Sequence, residues 1–453
     1  MAKNKVVRFQ KFKEKILKKD LKIIKMSVHG HGIAIDPDNG KEIHILGAII
    51  GDIVDAKIYR ELRGFYFAEL SRVRHESIKR TPPRDPLSFY STSPWQIIKN
   101  DDEREIKKEF ISQDFARYAD TEINSEVKFP ANFDIFNYRN KVEYGFWYDK
   151  VLKEYMFSCF KRGSGESRIP LLNSAINHPS LNEVGENLLA FLNTQEISPR
   201  TLKSCILRCS YSTKEVVIHL IIQDELTIET EEFEKFAENE KLLKGLIITN
   251  SDNETLYELG DLTLSEVLLG QDFVYRYDHF FQVHLPSFEI ILEDISEELE
   301  KLMKLRGNKW RKLLDLFAGV GIFGICLNKF ADTVQAIEIG KGTKEFAQKN
   351  AENALVKNYS FRETPAENST DSLNKTDLLI VDPPRTGIDK KTLNAISRNL
   401  PGTIIYLSCN PRTQAKDYNL LKKDYRIVFN CGYNLFPQTP HVEHLLILRK
   451  IKK

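Results

Sequence analysis

The chain has 453 residues, of which 42% are hydrophobic and 29% charged, and its 66 basic and 64 acidic side chains leave a net charge of +2. That composition excludes wholesale disorder, and the length allows roughly three domains of about 150 residues with a core large enough to need neither disulfide nor metal. No apolar run approaches the roughly 18 residues of a membrane span, and the six cysteines include no Cys-x-x-Cys pair, so a reduced, cytoplasmic protein without a disulfide framework or zinc site is expected.

The N-terminal Met1-Ala2-Lys3-Asn4-Lys5 is basic but has no apolar stretch behind it, so no secretory signal is expected. Residues 1–25 hold ten basic side chains (Lys3, Lys5, Arg8, Lys11, Lys13, Lys15, Lys18, Lys19, Lys22 and Lys25) against Glu14 and Asp20, a local balance of +8. Such a run either neutralises phosphates or is a solvated terminus, and residues 1–20 are read as a basic tail. Residues 21–76 alternate short apolar runs with turn residues such as Gly30, Gly32, Gly40, Gly51 and Gly64, which predicts a small β-barrel. Near its end Lys57, Tyr59, Arg60, Arg63, Phe65, Tyr66, Arg72 and Arg74 interleave, a pattern that suits base stacking and phosphate contact as well as it suits solvated strand edges.

Residues 77–100, punctuated by Pro82, Pro83, Pro86 and Pro94, read as an ordered connector rather than a helix. A helix is predicted over 101–119, with Ile106, Phe110, Ile111 and Phe115 on its apolar face. Residues 125–275 mix strands with helices at 180–193 and 229–241, so 77–275 is assigned to a connector and a central α+β domain. From 276 the pattern becomes strand–loop–helix. Strands are expected at 313–317, 333–339, 377–381, 403–408, 426–431 and 442–448, with helices at 322–330 and 342–355. This predicts a doubly wound Rossmann-like α/β domain over 276–453.

Four motifs in that last segment bear chemistry. Gly319-Val320-Gly321-Ile322-Phe323-Gly324 follows a strand and opens a helix, and Glu338 ends the next strand, where a carboxylate accepts hydrogen bonds from ribose hydroxyls. This suits a nucleoside cofactor without separating a nicotinamide from S-adenosylmethionine, and a tight packing turn is the plain alternative. In Leu378-Leu379-Ile380-Val381-Asp382-Pro383-Pro384-Arg385 an apolar strand ends in a carboxylate and two stiffening prolines. In Ile404-Ile405-Tyr406-Leu407-Ser408-Cys409-Asn410-Pro411 a strand ends in a thiol at the same edge. Cys205, Cys209, Cys326 and Cys431 lie in apolar periodic contexts and read as inert core, and Cys159 fits either reading, whereas Cys409 should face the crevice as a nucleophile. The fourth motif is Pro437-Gln438-Thr439-Pro440-His441-Val442-Glu443-His444. If the following strand is antiparallel, Glu443 comes to the edge that holds Asp382 and Cys409, while His441 and His444 read as residues without a chemical role. Gly-x-Ser-x-Gly, His-Glu-x-x-His and Walker sequences are absent.

Together these motifs resemble the RNA uracil-carbon-5 methyltransferases that use S-adenosylmethionine. The likeness runs over nearly the whole chain, is strongest over 280–450, and includes Tyr138-Arg139-Asn140-Lys141-Val142-Glu143. It implies that residues 21–75 are an OB-like, RNA-binding TRAM barrel and that the last strand of the α/β sheet is antiparallel. It also implies S-adenosylmethionine as cofactor, held by Gln282, Phe317, Gly319, Glu338 and Asp382, with Cys409 as nucleophile and Glu443 as general base. Phe280 and Arg385 are implied on the substrate side. RNA cytosine methyltransferases usually carry a cysteine where this chain has Pro384, which favours uracil. The implied partner is RNA, tRNA or 23S rRNA, for an enzyme expected to act as a monomer.

The chemistry accounts for the residue types. Carbon 5 of uracil is a poor nucleophile, and thiolate addition at carbon 6 turns the ring into an enolate that can take a methyl group; a base must then remove the carbon 5 proton. The target base must leave its stack, by flipping or in a single-stranded loop. The chain departs from many relatives of this kind in one respect. Their iron–sulfur cluster needs three connector cysteines and a later one, whereas here residues 84–96 contain no cysteine and the later position is Ser174, so no cluster is expected. Two other function classes remain open from the residues alone: a nicotinamide-dependent oxidoreductase, supported by the glycine motif and Glu338, and a non-catalytic RNA-binding protein.

Overall fold

The computed structural model describes residues 10–62, 64–162, 167–223, 226 and 228–451, with the side chains of 10–14 not included. Lys3, Lys5 and Arg8 of the basic run, and Arg63, lie outside the described residues. The elements in chain order are β1 (Gln10–Lys22), β2 (Lys25–Met26), β3 (Gly32–Ile35), β4 (Glu42–Leu46), β5 (Ile53–Leu62), β6 (Phe65–His75), α1 (Pro86–Phe89), α2 (Asn100–Ala119) and β7 (Val127–Lys128). They continue with β8 (Lys141–Asp149), β9 (Glu154–Phe160), β10 (Arg168–Pro170), α3 (Pro179–Thr194), β11 (Leu202–Cys209), β12 (Val216–Ile222), α4 (Thr230–Asn239), β13 (Leu243–Thr249), β14 (Thr255–Gly260), β15 (Thr263–Leu268) and β16 (Gln271–Arg276). The last are α5 (Leu285–Arg306), β17 (Trp310–Leu316), α6 (Ile322–Cys326), β18 (Ala331–Glu338), α7 (Thr343–Asn353), β19 (Tyr359–Glu363), β20 (Leu378–Val381), α8 (Lys390–Asn399), β21 (Thr403–Ser408), α9 (Pro411–Leu421), β22 (Tyr425–Tyr433) and β23 (Glu443–Lys450).

The chain forms two compact units, and they do not follow the boundaries read from the sequence. One comprises the chain up to Ile106 with 159–175 and 436–440; the other comprises 107–158, 176–435 and the chain from His441. In the first, six strands pair in the order β1-β5-β6-β4-β3-β2 around a core of Leu21, Ile23, Ala34, Ile43, Ile45, Val54, Ala56 and Ile58. Strand β1 begins at Gln10, inside the segment read as a tail, and pairs antiparallel with β5. Its lysines suit an edge strand, where charge discourages pairing with another chain.

The connector of this unit is tied by polar groups. Asp85 caps the single turn α1, a short helix where none was expected, by accepting from the Leu87 and Ser88 amides. Gln96 Nε2 donates to Ser93 Oγ (2.8 Å), Ser88 Oγ (2.9 Å) and Asp85 O (3.1 Å), and Gln96 Oε1 accepts from the Asp85 amide (2.8 Å). Ser174 Oγ lies 3.3 Å from Thr92 Oγ1, and buried Trp95 donates Nε1–H to Gly30 O. Among the described residues no group of three or more His, Cys, Asp or Glu side chains could hold a metal ion, and no helix is long and apolar enough to cross a membrane.

The second unit contains two large sheets and the β15–β16 hairpin. In one sheet the strands run β9-β8-β11-β12-β13-β14. The other runs β19-β18-β17-β20-β21-β23-β22-β7. In it β17 to β21 are mutually parallel, whereas β23 is antiparallel to β21 and β22. The buried face of α2 (Ile111, Phe115, Ala119) packs with Leu314, Leu379, Val381, Ile404 and Tyr406 in one core. Strand β7, contributed from before residue 276, pairs parallel to β22 and completes this sheet. Parallel strands put their C-terminal ends along one edge, where sheets of this kind bind ligands.

Candidate active site

The glycine motif forms a turn of left-handed backbone at the end of β17. Phe317 (φ 64°), Gly319 (φ 52°) and Gly321 (φ 90°) all have positive φ. Glycine adopts this at little steric cost; Phe317 does so under strain. A Cβ on Gly319 would meet only Phe280 O, at 3.9 Å, so a ligand could approach the backbone there, whereas one on Gly321 would run into Tyr359 Oη. Asn350 of α7 fixes the turn from behind, donating Nδ2–H to Val320 O (3.1 Å) and accepting from the Val274 amide (2.7 Å). Glu338 Oε2 accepts from the Gly319 amide (3.0 Å), and Oε1 accepts from the Ile339 and Gly340 amides. Asp315, wholly buried beneath the turn, accepts from the Gly324 amide through Oδ2, while its Oδ1 has no partner and burial pushes its carboxyl up to about 8.

The neighbouring strand ends bring the other predicted residues to the same edge. Leu316 pairs with Val381, so Asp382 emerges beside Phe317. Gln282 Nε2 lies 3.5 Å from Asp382 Oδ2. Ser408 pairs with His444 in antiparallel register as the last pair of the two strands, so Cys409 and Glu443, one step beyond it, come to the same edge. Cys409 is half-buried, Glu443 is buried, and Phe280 is 65% exposed.

Burial dominates the electrostatics. It pushes the Cys409 thiol up to about 12, the charge of Glu443 adding to this and that of Arg385 opposing it. Glu443 is held well above the usual carboxylate range by burial and by Asp382, again opposed by Arg385. Asp382 is raised to about 7 by burial alone. Two acids thus share the charge of Arg385 with a third buried acid beside them, a combination enriched at functional sites.

Arg385 is held through its backbone. Its carbonyl accepts from Asn410 Nδ2 (2.9 Å) and Thr413 Oγ1 (3.3 Å), which tie the Pro-Pro-Arg loop to the turn after Cys409. Asp417 of α9 accepts from the Ile388 amide (3.0 Å) and from Tyr406 Oη (2.7 Å), clasping the same loop to β21. The sequence motifs assign no task to Asp315, Asn350, Asn410 or Asp417. Asn410 lies inside a quoted motif, but Asp417 is eight positions beyond Cys409 and had no local signal. His444 is enclosed between Gln414 Oε1 (2.6 Å) and Ser125 Oγ (3.1 Å), and burial drives its pKa down to about 3, so it is a neutral structural residue. Cys205, Cys209 and Cys431 are buried; Cys326, expected in the core, and Cys159 are half-buried.

Residues 99–451 match the family model described as tRNA (Uracil-5-)-methyltransferase. The chain is 26% identical to an uncharacterized RNA methyltransferase of Bacillus cereus, over 94% of this chain and 95% of that protein. It is 26% identical to the tRNA (uracil(54)-C(5))-methyltransferase of Saccharomyces cerevisiae, over 96% of this chain and 74% of that protein. The crystal structure of Pyrococcus abyssi tRNA (uracil-54, C5)-methyltransferase in complex with S-adenosyl-L-homocysteine superposes with a TM-score of 0.74 at 22% identity, covering 95% of this chain and 99% of that one. That likeness gives the same fold.

Proposed function

We propose, from the premise that the chain belongs to the tRNA (uracil-5-)-methyltransferase family, that it transfers a methyl group from S-adenosylmethionine to carbon 5 of a uridine in RNA, with Cys409 as nucleophile and Glu443 as general base. The observation that supports this reading most is that Cys409 and Glu443, one step beyond the Ser408–His444 pair, feel each other's charge or that of Asp382 and Arg385 at the strand ends that also carry the glycine turn.

The residues present suit the cofactor. The open backbone at Gly319, the carboxylate of Glu338 and the polar pair Gln282–Asp382 are the groups that would hold it. S-adenosylmethionine, when bound, supplies an electrophilic methyl group on a positively charged sulfonium. Cys409 Sγ adds to carbon 6 of the base, moving the double-bond electrons toward carbon 5 and the carbonyl at carbon 4. Arg385 eases loss of the thiol proton and meets charge on the developing enolate oxygen. After methyl transfer Glu443 removes the carbon 5 proton, the double bond re-forms, and Cys409 leaves as thiolate. The six-stranded sheet of the first unit acts in this reading as a TRAM-like module binding RNA, with Lys57, Arg72 and Arg74 exposed on it.

The test is tritium release from [5-³H]uridine-labelled RNA by the purified protein with S-adenosylmethionine, alongside mapping of 5-methyluridine in tRNA and rRNA from cells with and without it. Release that survives Cys409→Ala would refute the mechanism. Calorimetry with S-adenosylhomocysteine against NAD separates this reading from an oxidoreductase.

A further inference from the structure

The segment 277–284, between β16 and α5, carries both Phe280 and Gln282 but lies in neither a strand nor a helix. Its carbonyls are gripped from the other large sheet of the same unit. Arg208, near the end of β11 and 1% exposed, donates through Nη1 to Tyr277 O (3.0 Å) and to His279 O, and through Nη2 to Phe281 O (3.5 Å). Its guanidinium lies 4.7 Å from the Tyr275 ring centroid, and Tyr275 stacks on Phe281 at 4.3 Å. Asn140, wholly buried, donates Nδ2–H to Gln282 O (3.0 Å). Tyr138 packs on His284, whose Nδ1 caps α5 by accepting from the Ser287 amide. The Tyr138–Glu143 motif, which had no assigned task, therefore grips the segment together with Arg208.

A guanidinium buried against carbonyls, without an ion pair among the described residues, is a costly way to stiffen a loop. It becomes intelligible if the loop's exact course matters. We propose that Arg208 and Asn140 are positioning residues that set Phe280 and Gln282 against the glycine turn and Asp382, fixing how acceptor base and methyl donor meet. This rests on the methyltransferase reading above.

The test is a pair of double-mutant cycles, with circular dichroism and thermal melting confirming the fold. By calorimetry with S-adenosylhomocysteine, Asn140→Ala should weaken binding five- to tenfold in the wild-type background and less than twofold in Gln282→Ala. In RNA methylation, Arg208→Lys should lower kcat at least tenfold, but less than twofold in Phe280→Ala. A merely structural role gives equal losses in both backgrounds, and that result would overturn the proposal. If Arg208→Lys does not fold, the Asn140 cycle decides alone. A wild-type protein that neither binds S-adenosylhomocysteine nor methylates RNA sinks the underlying reading, and this proposal falls with it; a competent wild type with additive cycles sinks only the positioning role.

Discussion

Cys409 follows β21 directly and Glu443 opens β23, one step beyond the antiparallel pair Ser408–His444 and near enough for the Glu443 charge to act on the thiol, although 33 residues of helix, strand and loop separate them in the chain. The thiol thus stands just past the end of one strand and the carboxyl at the start of its neighbour, a placement that suits the proposal that they act in turn on two neighbouring ring carbons.

Cys409→Ala should abolish both methylation and the covalent complex with 5-fluorouracil-substituted RNA, seen as a band that survives denaturing electrophoresis. Glu443→Gln should still form a covalent species with ordinary RNA yet fail to turn over, because addition needs the thiol and elimination needs the base. Rapid turnover by the glutamine variant would remove Glu443 from its assigned part.

Activity should rise with pH above neutrality. Burial favours the protonated form of both the thiol and the Glu443 carboxyl, and in the proposed mechanism each must lose its proton to act. Since Arg385 lowers both pKa values, Arg385→Ala should move the pH–rate profile to more alkaline values as well as slowing the reaction. A profile that is flat, or unmoved in the variant, would contradict this.

Asp382 should cost the fold stability at neutral pH. Its carboxyl is raised from 3.8 to about 7 in the folded chain. Below about pH 4 it is protonated in both states and contributes nothing. As pH climbs from there to about 7, the unfolded chain releases the proton and the folded chain keeps it, so stability falls by something on the order of a few kcal/mol. Asp382→Asn should therefore melt higher than wild type at pH 8, show no advantage at pH 4, and be inactive. Equal melting temperatures at pH 8 would argue against the buried carboxyl.

The glycine turn should not tolerate a methyl group at its third position. Gly321→Ala meets a φ of 90° and the Tyr359 hydroxyl, and should lose roughly 1–3 kcal/mol of stability together with affinity for S-adenosylhomocysteine. Tyr359→Phe in the same chain should restore part of the loss by removing the hydroxyl while the backbone strain persists.

The connector should depend on Gln96. Replacing it by Leu strands the Asp85 amide and leaves Ser88 and Ser93 without their shared donor, at a cost of roughly 1–3 kcal/mol, measurable by thermal denaturation. Purified protein should contain no stoichiometric iron by elemental analysis.

The placement of the candidate residues at strand ends was legible because apolar runs such as 378–381 and 404–407 stop abruptly at residues with reactive groups, and because an antiparallel last strand fixes where Glu443 emerges. The helix α5 was equally within reach, since Phe288, Ile291, Leu292, Ile295, Leu299 and Leu302 are buried at helical spacing. Strand β1 was masked by its own lysines, which read as a solvated tail until β5 supplies the backbone partners. The supports of the site were beyond local pattern altogether. Asp417, Asn350 and Arg208 act on backbone groups 29, 30 and up to 73 positions away, and neither periodicity nor spacing encodes such distances.

Strand β7 has a bearing on how the protein is made. Its partner β22 is finished about 300 residues later, and Lys107–Asn434 and Ser125–His444 span 327 and 319 positions. At about 5–20 residues per second, a ribosome leaves Val127 waiting roughly 15–60 s for the strand it joins. The nascent polypeptide therefore carries an unfinished sheet edge until β22 emerges, and the thiol must wait for a further 33 residues before Glu443 is made.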